Sequence, residues 1–255
     1  MTHASCSGPQ MNLRTHIDAA WSSAAPYLGA RRVSAWLLRL GQRVAERGRR
    51  PTPAAAGAGS DAAAPTVATV LQRALAQQHS QPLHPDIVRR FDQHAMIFAG
   101  TMQQVCCSLP GALLALVLRP PHLLPARCAC DVAFVFRIEA RSTAFHKERL
   151  YRFADGGTFV FRSLFAADPC LPEQFPLGLG MALRLEAQPD GALLFADDGY
   201  FVRVMGRRWR LPAWLGARFE LLHKSIDADR FQVLLRVSHP LFGTLFYQRG
   251  EFAPP

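Results

Sequence analysis

The chain has 255 residues and a formal net charge of +10 at pH 7, long enough to bury one substantial core or two small ones. The charge is uneven: residues 1–50 hold eight Arg against Asp18 and Glu46, and the rest of the chain carries only +4. That distribution speaks against nucleic-acid binding by the folded part, which would need its basic residues gathered on the fold itself.

Met1–Gln10 is polar and lacks the apolar run that export requires, and no stretch approaches the roughly 20 apolar residues of a membrane span. A cytoplasmic protein with reduced thiols is expected. The six cysteines (6, 106, 107, 128, 130 and 170) then form no disulfide framework. In 33–47 the residues Val33, Trp36, Leu37, Leu40 and Val44 recur at helical spacing among Arg39, Arg43 and Arg47, with Arg32 just before them. Such a basic amphipathic helix can lie on an anionic membrane, placing the protein peripherally, dock on a partner, or pack on its own domain. Residues 51–65 are a Pro/Ala/Gly/Ser linker without large apolar groups. A single domain is expected over 66–253.

Thr66–His79 reads as a helix capped by Thr66, and Pro85–Phe91 as a second one with proline in its first turn. Ala95–Val105 reads as a strand bent at Gly100. Leu109–Leu118 is apolar enough for a buried helix, a candidate lid hinged at Gly111, stopped by Pro120-Pro121. From Ala129 nearly everything is strand. Cys130–Ile138, Met181–Gln188 and Phe231–Val237 alternate apolar with polar residues, the period of a strand with one face on a core. Turns are expected at Asp155-Gly156-Gly157, Pro189-Asp190-Gly191, Asp197-Asp198-Gly199 and Asp227-Ala228-Asp229. Leu211–Gly216 is a helix-like interruption. At His239–Gly243 a bend or bulge should let the last strand, Thr244–Phe252, close the sheet. Helices at the front and hairpins behind indicate an α+β domain: a strongly curved antiparallel sheet of about seven to nine strands, cup-like or barrel-like, with three packed helices.

Leu83-His84-Pro85, Ala99-Gly100-Thr101-Met102, Arg152-Phe153 with Phe161-Arg162-Ser163, and Leu211-Pro212 followed by Leu215 form a set of motifs. The most specific is His239–Gly250, HPLFGTLFYQRG. Over about Leu71–Phe252 the chain resembles the bacterial family catalogued as domain of unknown function 4166. The resemblance implies members that occur alone or joined to saccharopine-dehydrogenase-like nicotinamide-binding domains. It brings no assigned activity and no functional residues. Leu150-Tyr151 departs from the pattern, since relatives often carry a Trp there.

No reactive constellation stands out. The cysteines lack the paired spacing of structural zinc, and Cys128 and Cys130 fall on the apolar face of their strand, so no metal is expected. There is no Gly-x-Ser-x-Gly elbow. His84, His122, His146, His223 and His239 are available to a Cys–His pair, but none is singled out, and the clean strands put Asp131, Glu139 and Glu186 on the polar face. Gly178-Leu179-Gly180 leads into a strand rather than a helix, so no nucleotide cofactor is expected. Arg207, Arg208, Trp209 and Arg210, with Trp214 nearby, could grip a phosphate, a carboxylate, a lipid headgroup or a partner. Their plain alternative is a solvated turn with Trp209 folded back on the core. Phe134, Phe136, Met181, Leu183, Phe231 and Val233 line either a solid core or an apolar cavity.

The leading expectation is a non-catalytic domain that binds a hydrophobic small molecule or lipid, with no catalytic residue named. A module docking on a nicotinamide-dependent oxidoreductase through Arg207–Trp214 is the second reading. An enzyme with a site assembled from scattered residues is the third.

Overall fold

Two short helices start where local chemistry dictates. In the computed structural model, which describes residues 65–253 apart from 79, 118–122, 142–143, 167–170, 206 and 228, α1 is Val67–Gln77 and α2 is Pro85–Phe91. The basic segment 33–47 and nearly all of the linker lie outside the described residues. The Thr66 hydroxyl accepts from the Thr69 amide at 3.2 Å, and His84 Nδ1 accepts from the Asp86 amide at 3.3 Å, each satisfying a first-turn donor. Val67, Val70, Leu71, Ala74 and Leu75 form the buried stripe of α1, and Ile87 and Phe91 anchor α2.

Eleven antiparallel strands follow: β1 (Ala95–Cys107), β2 (Ala129–Arg141), β3 (Ala144–Arg152), β4 (Thr158–Ala166), β5 (Glu173–Gln174), β6 (Leu179–Ala187), β7 (Leu193–Val204), β8 (Arg207–Arg210), β9 (Arg218–Ser225), β10 (Phe231–His239) and β11 (Gly243–Ala253). The sheet runs β6-β5-β4-β3-β2-β1-β11-β10-β9-β7-β8, and β6 also pairs with β7, from Leu179 opposite Val202 to Ala187 opposite Leu193. That second pairing closes ten strands into a barrel and leaves β8 as an appended edge. The count exceeds the expected nine because β5 and β8 are too short to show a period.

A third helix, α3 (Leu109–Val117), crosses one end of the barrel between β1 and β2. It is not the deeply buried helix its composition implied: Leu109, Leu113 and Leu116 are more than half exposed. Gly111 is not a free hinge either. A Cβ there would fall on the Leu245 carbonyl of β11, so the glycine permits close docking of helix on strand.

One expected turn changes. Asp197-Asp198-Gly199 lies inside β7 as a bulge with Gly199 at φ 98°, and the β6 register shifts opposite it, between Met181 and Leu183. Gly100 sits where β1 meets β11, and a Cβ would strike the Glu251 carbonyl. The other turns fall where expected, with Asp227 Oδ1 accepting from the Asp229 and Arg230 amides at 3.0 and 2.7 Å. His239–Gly243 forms a hairpin turn with the expected irregularity beside it, a register shift between Val237 and Ser238. The strand after it is central, bonded to β1 on one side and β10 on the other.

Outward positions carry Arg137, Glu139, Glu148, Arg162, Arg184 and Glu186. These charges share the outer face with apolar residues such as Val135, Val160 and Leu164. Among the described residues no helix is long and apolar enough to cross a membrane.

Candidate functional site

Inside the barrel is a cavity of about 760 Å³. Its existence follows from strand number: around eight strands leave an interior that side chains can fill, and each added strand widens it. At one end α1 and α2 form a floor, with Val67, Leu71 and Phe91 on the cavity. The Gln78 side chain accepts from the Leu185 amide at 2.8 Å and the Ser80 hydroxyl from the Ala187 amide at 3.2 Å. These bonds satisfy the part of β6 that lies beyond the two-residue β5.

The opposite end is the mouth. Leu113 of α3, Trp214 and Leu215 of a 3-10 turn at Ala213–Leu215, and Leu241 and Phe242 of the β10–β11 turn line the cavity while being more than half exposed. Phe134, Phe136, Met181, Leu183, Phe231 and Val233 all sit on the cavity wall. Alternation brings them there from β2, β6 and β10. Phe231 packs edge-on to Phe98 with ring centroids 5.1 Å apart, and Phe134 against Phe252 at 5.3 Å.

One part of the wall is ionic. The inward residues of β3 are Phe145, Lys147, Arg149 and Tyr151, and Glu173 of β5 points to the same place. Lys147 Nζ lies 2.7 Å from Glu173 Oε2. Arg149 Nη2 donates to Glu173 Oε1 at 3.3 Å and Nη1 to the Ser163 hydroxyl at 3.4 Å. Ser163 in turn donates to Glu173 Oε1 at 2.6 Å. The guanidinium carbon is 4.9 Å from the Phe161 ring centre and 5.4 Å from that of Phe136. Burial alone would raise the Glu173 carboxyl, but Lys147 and Arg149 outweigh it and hold the group at about 2. Burial pushes the Lys147 ammonium down to about 8, against the opposing pull of Glu173.

Higher on β3, Tyr151 donates to Gln248 Oε1 of β11 at 2.8 Å, and burial pushes its phenol up to about 12. Near the floor His223 Nε2 is 3.2 Å from Arg90 Nη1. A guanidinium can only donate, so Nε2 is the acceptor and the ring is neutral. Burial, then the Arg90 charge, lowers this imidazole to about 3.

The sequence missed Lys147, Arg149 and Glu173 as inward groups. The one available signal was the Phe–x–Lys–x–Arg–x–Tyr spacing of β3, set against Phe161–x–Ser163–x–Phe165 in β4.

Arg207, Arg208, Trp209 and Arg210 form β8, on the outside of the barrel. Trp209 is 59% exposed and does not fold back on the core. Arg208 stacks on the Phe201 ring at 3.7 Å, and Arg210 donates to the Asp198 carbonyl at 3.3 Å. Trp214 belongs to the mouth instead. Cys128 and Cys130 are exposed rather than on the apolar face. Asp131, at φ 52°, breaks the alternation between Cys130 and Val132. The Cys106 and Cys128 sulfurs lie 2.7 Å apart. Among the described residues no group of three or more His, Cys, Asp or Glu side chains is placed to hold a metal.

No curated protein matches this chain. The family described as "Domain of unknown function (DUF4166)" matches residues 83–252, from two residues before α2 to the penultimate residue of β11. Two thirds of the sequence and all of the strands but the final residue of β11 fall within that match, and the chain belongs to this family.

Proposed function

We propose that this protein is a non-catalytic binding domain that holds a hydrophobic small molecule or lipid inside its barrel. The observation that carries the reading is the cavity of about 760 Å³, walled by phenylalanine, leucine and methionine and open at a mouth of exposed apolar side chains. Ligand sites typically occupy roughly 300–1,000 Å³, with a few polar groups in an apolar wall. A folded core of the same composition would close such a space, because unfilled apolar volume costs stability.

The test is fluorescence titration with the neutral probe N-phenyl-1-naphthylamine, on the wild type and on Val233→Trp, alongside mass spectrometry of organic extracts of the purified protein. Saturable binding that Val233→Trp removes without lowering the melting temperature is expected. A wild type that binds no probe would sink the reading, and a Val233→Trp variant destabilised by overpacking, about 1–3 kcal/mol, would show an ordinary filled core.

The exposure of Trp209 at 59% and Trp214 at 70% supports a second reading, docking on a nicotinamide-dependent oxidoreductase of the saccharopine-dehydrogenase-like type. Calorimetric titration of such a reductase against the wild type and Trp209→Ser tests it. Loss of a measurable affinity in the variant is expected, and no heat with the wild type overturns it.

A further inference from the structure

The charges inside the barrel do not balance. Among the described residues of the β3–β5 wall, Lys147 and Arg149 supply two cations, and Glu173 supplies the only anion. Glu173 is most tightly engaged elsewhere: by Lys147 at 2.7 Å and by Ser163 at 2.6 Å. Both distances are those of strong charge-assisted hydrogen bonds. The Arg149 contacts, at 3.3 and 3.4 Å, are at the long end of hydrogen bonding. Arg149 is thus the surplus cation, 17% exposed, standing beside Phe136 and Phe161 on the cavity wall. Burying a charge without a counter-charge is unfavourable, so a surplus cation in an apolar cavity points to an anion that enters with the ligand. A guanidinium suits that task because its planar fork meets a carboxylate with two parallel N–H donors.

We propose that the ligand is an amphiphile with a carboxylate head, which Arg149 receives while the apolar tail runs along the phenylalanine-rich wall. This inference rests on the reading of the barrel as a ligand-binding domain and specifies the chemistry of the ligand. Lys147 holds the Glu173 carboxylate at 2.7 Å and leaves Arg149 the longer contact, at 3.3 Å.

The experiment is displacement of N-phenyl-1-naphthylamine at neutral pH by two competitors of equal chain length, dodecanoate and dodecan-1-ol. The wild type should prefer the acid by about tenfold or more, the scale of one charged hydrogen bond. Arg149→Met, which leaves the balanced Lys147–Glu173 pair, should bring the ratio to about one. Arg149→Lys, which keeps charge but not the fork, should restore part of the preference. If the wild type binds the probe but acid and alcohol compete equally, the carboxylate proposal is wrong and the apolar barrel stands. If the ratio survives in Arg149→Met, Arg149 is not the receptor and the proposal is overturned. A wild type that binds no probe overturns both readings at once. Should Arg149→Met not fold, the wild-type ratio and its decline in Arg149→Lys decide.

Discussion

Lys147 and Glu173 approach to 2.7 Å inside the barrel although β4 lies between their strands. The ion pair reaches across an intervening strand and fastens β5, which has only two ladder pairs on each side. Without such a fastening the wall between β4 and β6 would rest on very few backbone bonds.

Glu173→Gln should therefore be costly. It leaves Lys147 and Arg149 buried with no anion among the described residues of this wall, and removing one partner of a buried pair costs about 3–5 kcal/mol. Urea melts of the two proteins check this. A loss under 1 kcal/mol would show that β5 is held by its backbone alone.

Acid stability gives a second expectation through His223. The folded imidazole titrates at about 3 and the unfolded one near 6.5, so the unfolded chain takes up the proton first as pH falls. Stability is then full above 6.5 and declines towards 3, with a slope approaching about 1.4 kcal/mol per pH unit. Glu173 has its own window, from about 4.5 down to 2, and contributes its loss only there. Between pH 6.5 and 4.5 the melting temperature should fall in the wild type and stay nearly level in His223→Gln, which keeps an acceptor for Arg90. Equal slopes in the two proteins would remove His223 as the cause.

Gly111→Ala sets two principles against each other. In an exposed helix interior the change stabilises, by roughly 0.8–1 kcal/mol. Here the new methyl meets the Leu245 carbonyl and lies 3.1 Å from Cys107 Sγ, and overpacking of that kind costs about 1–3 kcal/mol. Net destabilisation is expected in chemical denaturation. A gain in stability would mean that α3 does not dock closely on β11.

Deleting Gly243–Pro255 should abolish folding rather than trim an edge. The deletion removes β11, which is bonded along its length to β1 and β10, and so opens the barrel and exposes two long edges. Insoluble or molten protein by circular dichroism is expected, and a cooperative melt near the wild-type midpoint would refute it.

Much of this architecture was legible in the chain. Thr66 and Pro85 mark two helix starts because first-turn donors need a cap and an N-terminal proline loses nothing there. Period two in 130–138, 181–188 and 231–237 placed Phe134, Phe136, Met181, Leu183, Phe231 and Val233 on one face, and that face is the cavity wall. Where a local backbone angle intervened, alternation misled: Asp131 at φ 52° turned Cys130 outward, and Gly199 at φ 98° made a bulge of an apparent turn. Periodicity reports which residues share a face within one strand. It does not report whether the first and last of ten strands pair edge to edge, because closure depends on their combined twist and stagger. Only the tertiary structure decided that the face encloses space rather than a filled core. It alone joined Lys147 and Arg149 to Glu173, across some 25 residues and one intervening strand. On β3 the cations interrupt the apolar stripe that would have shown they point inward, and a two-residue β5 has no period to read at all.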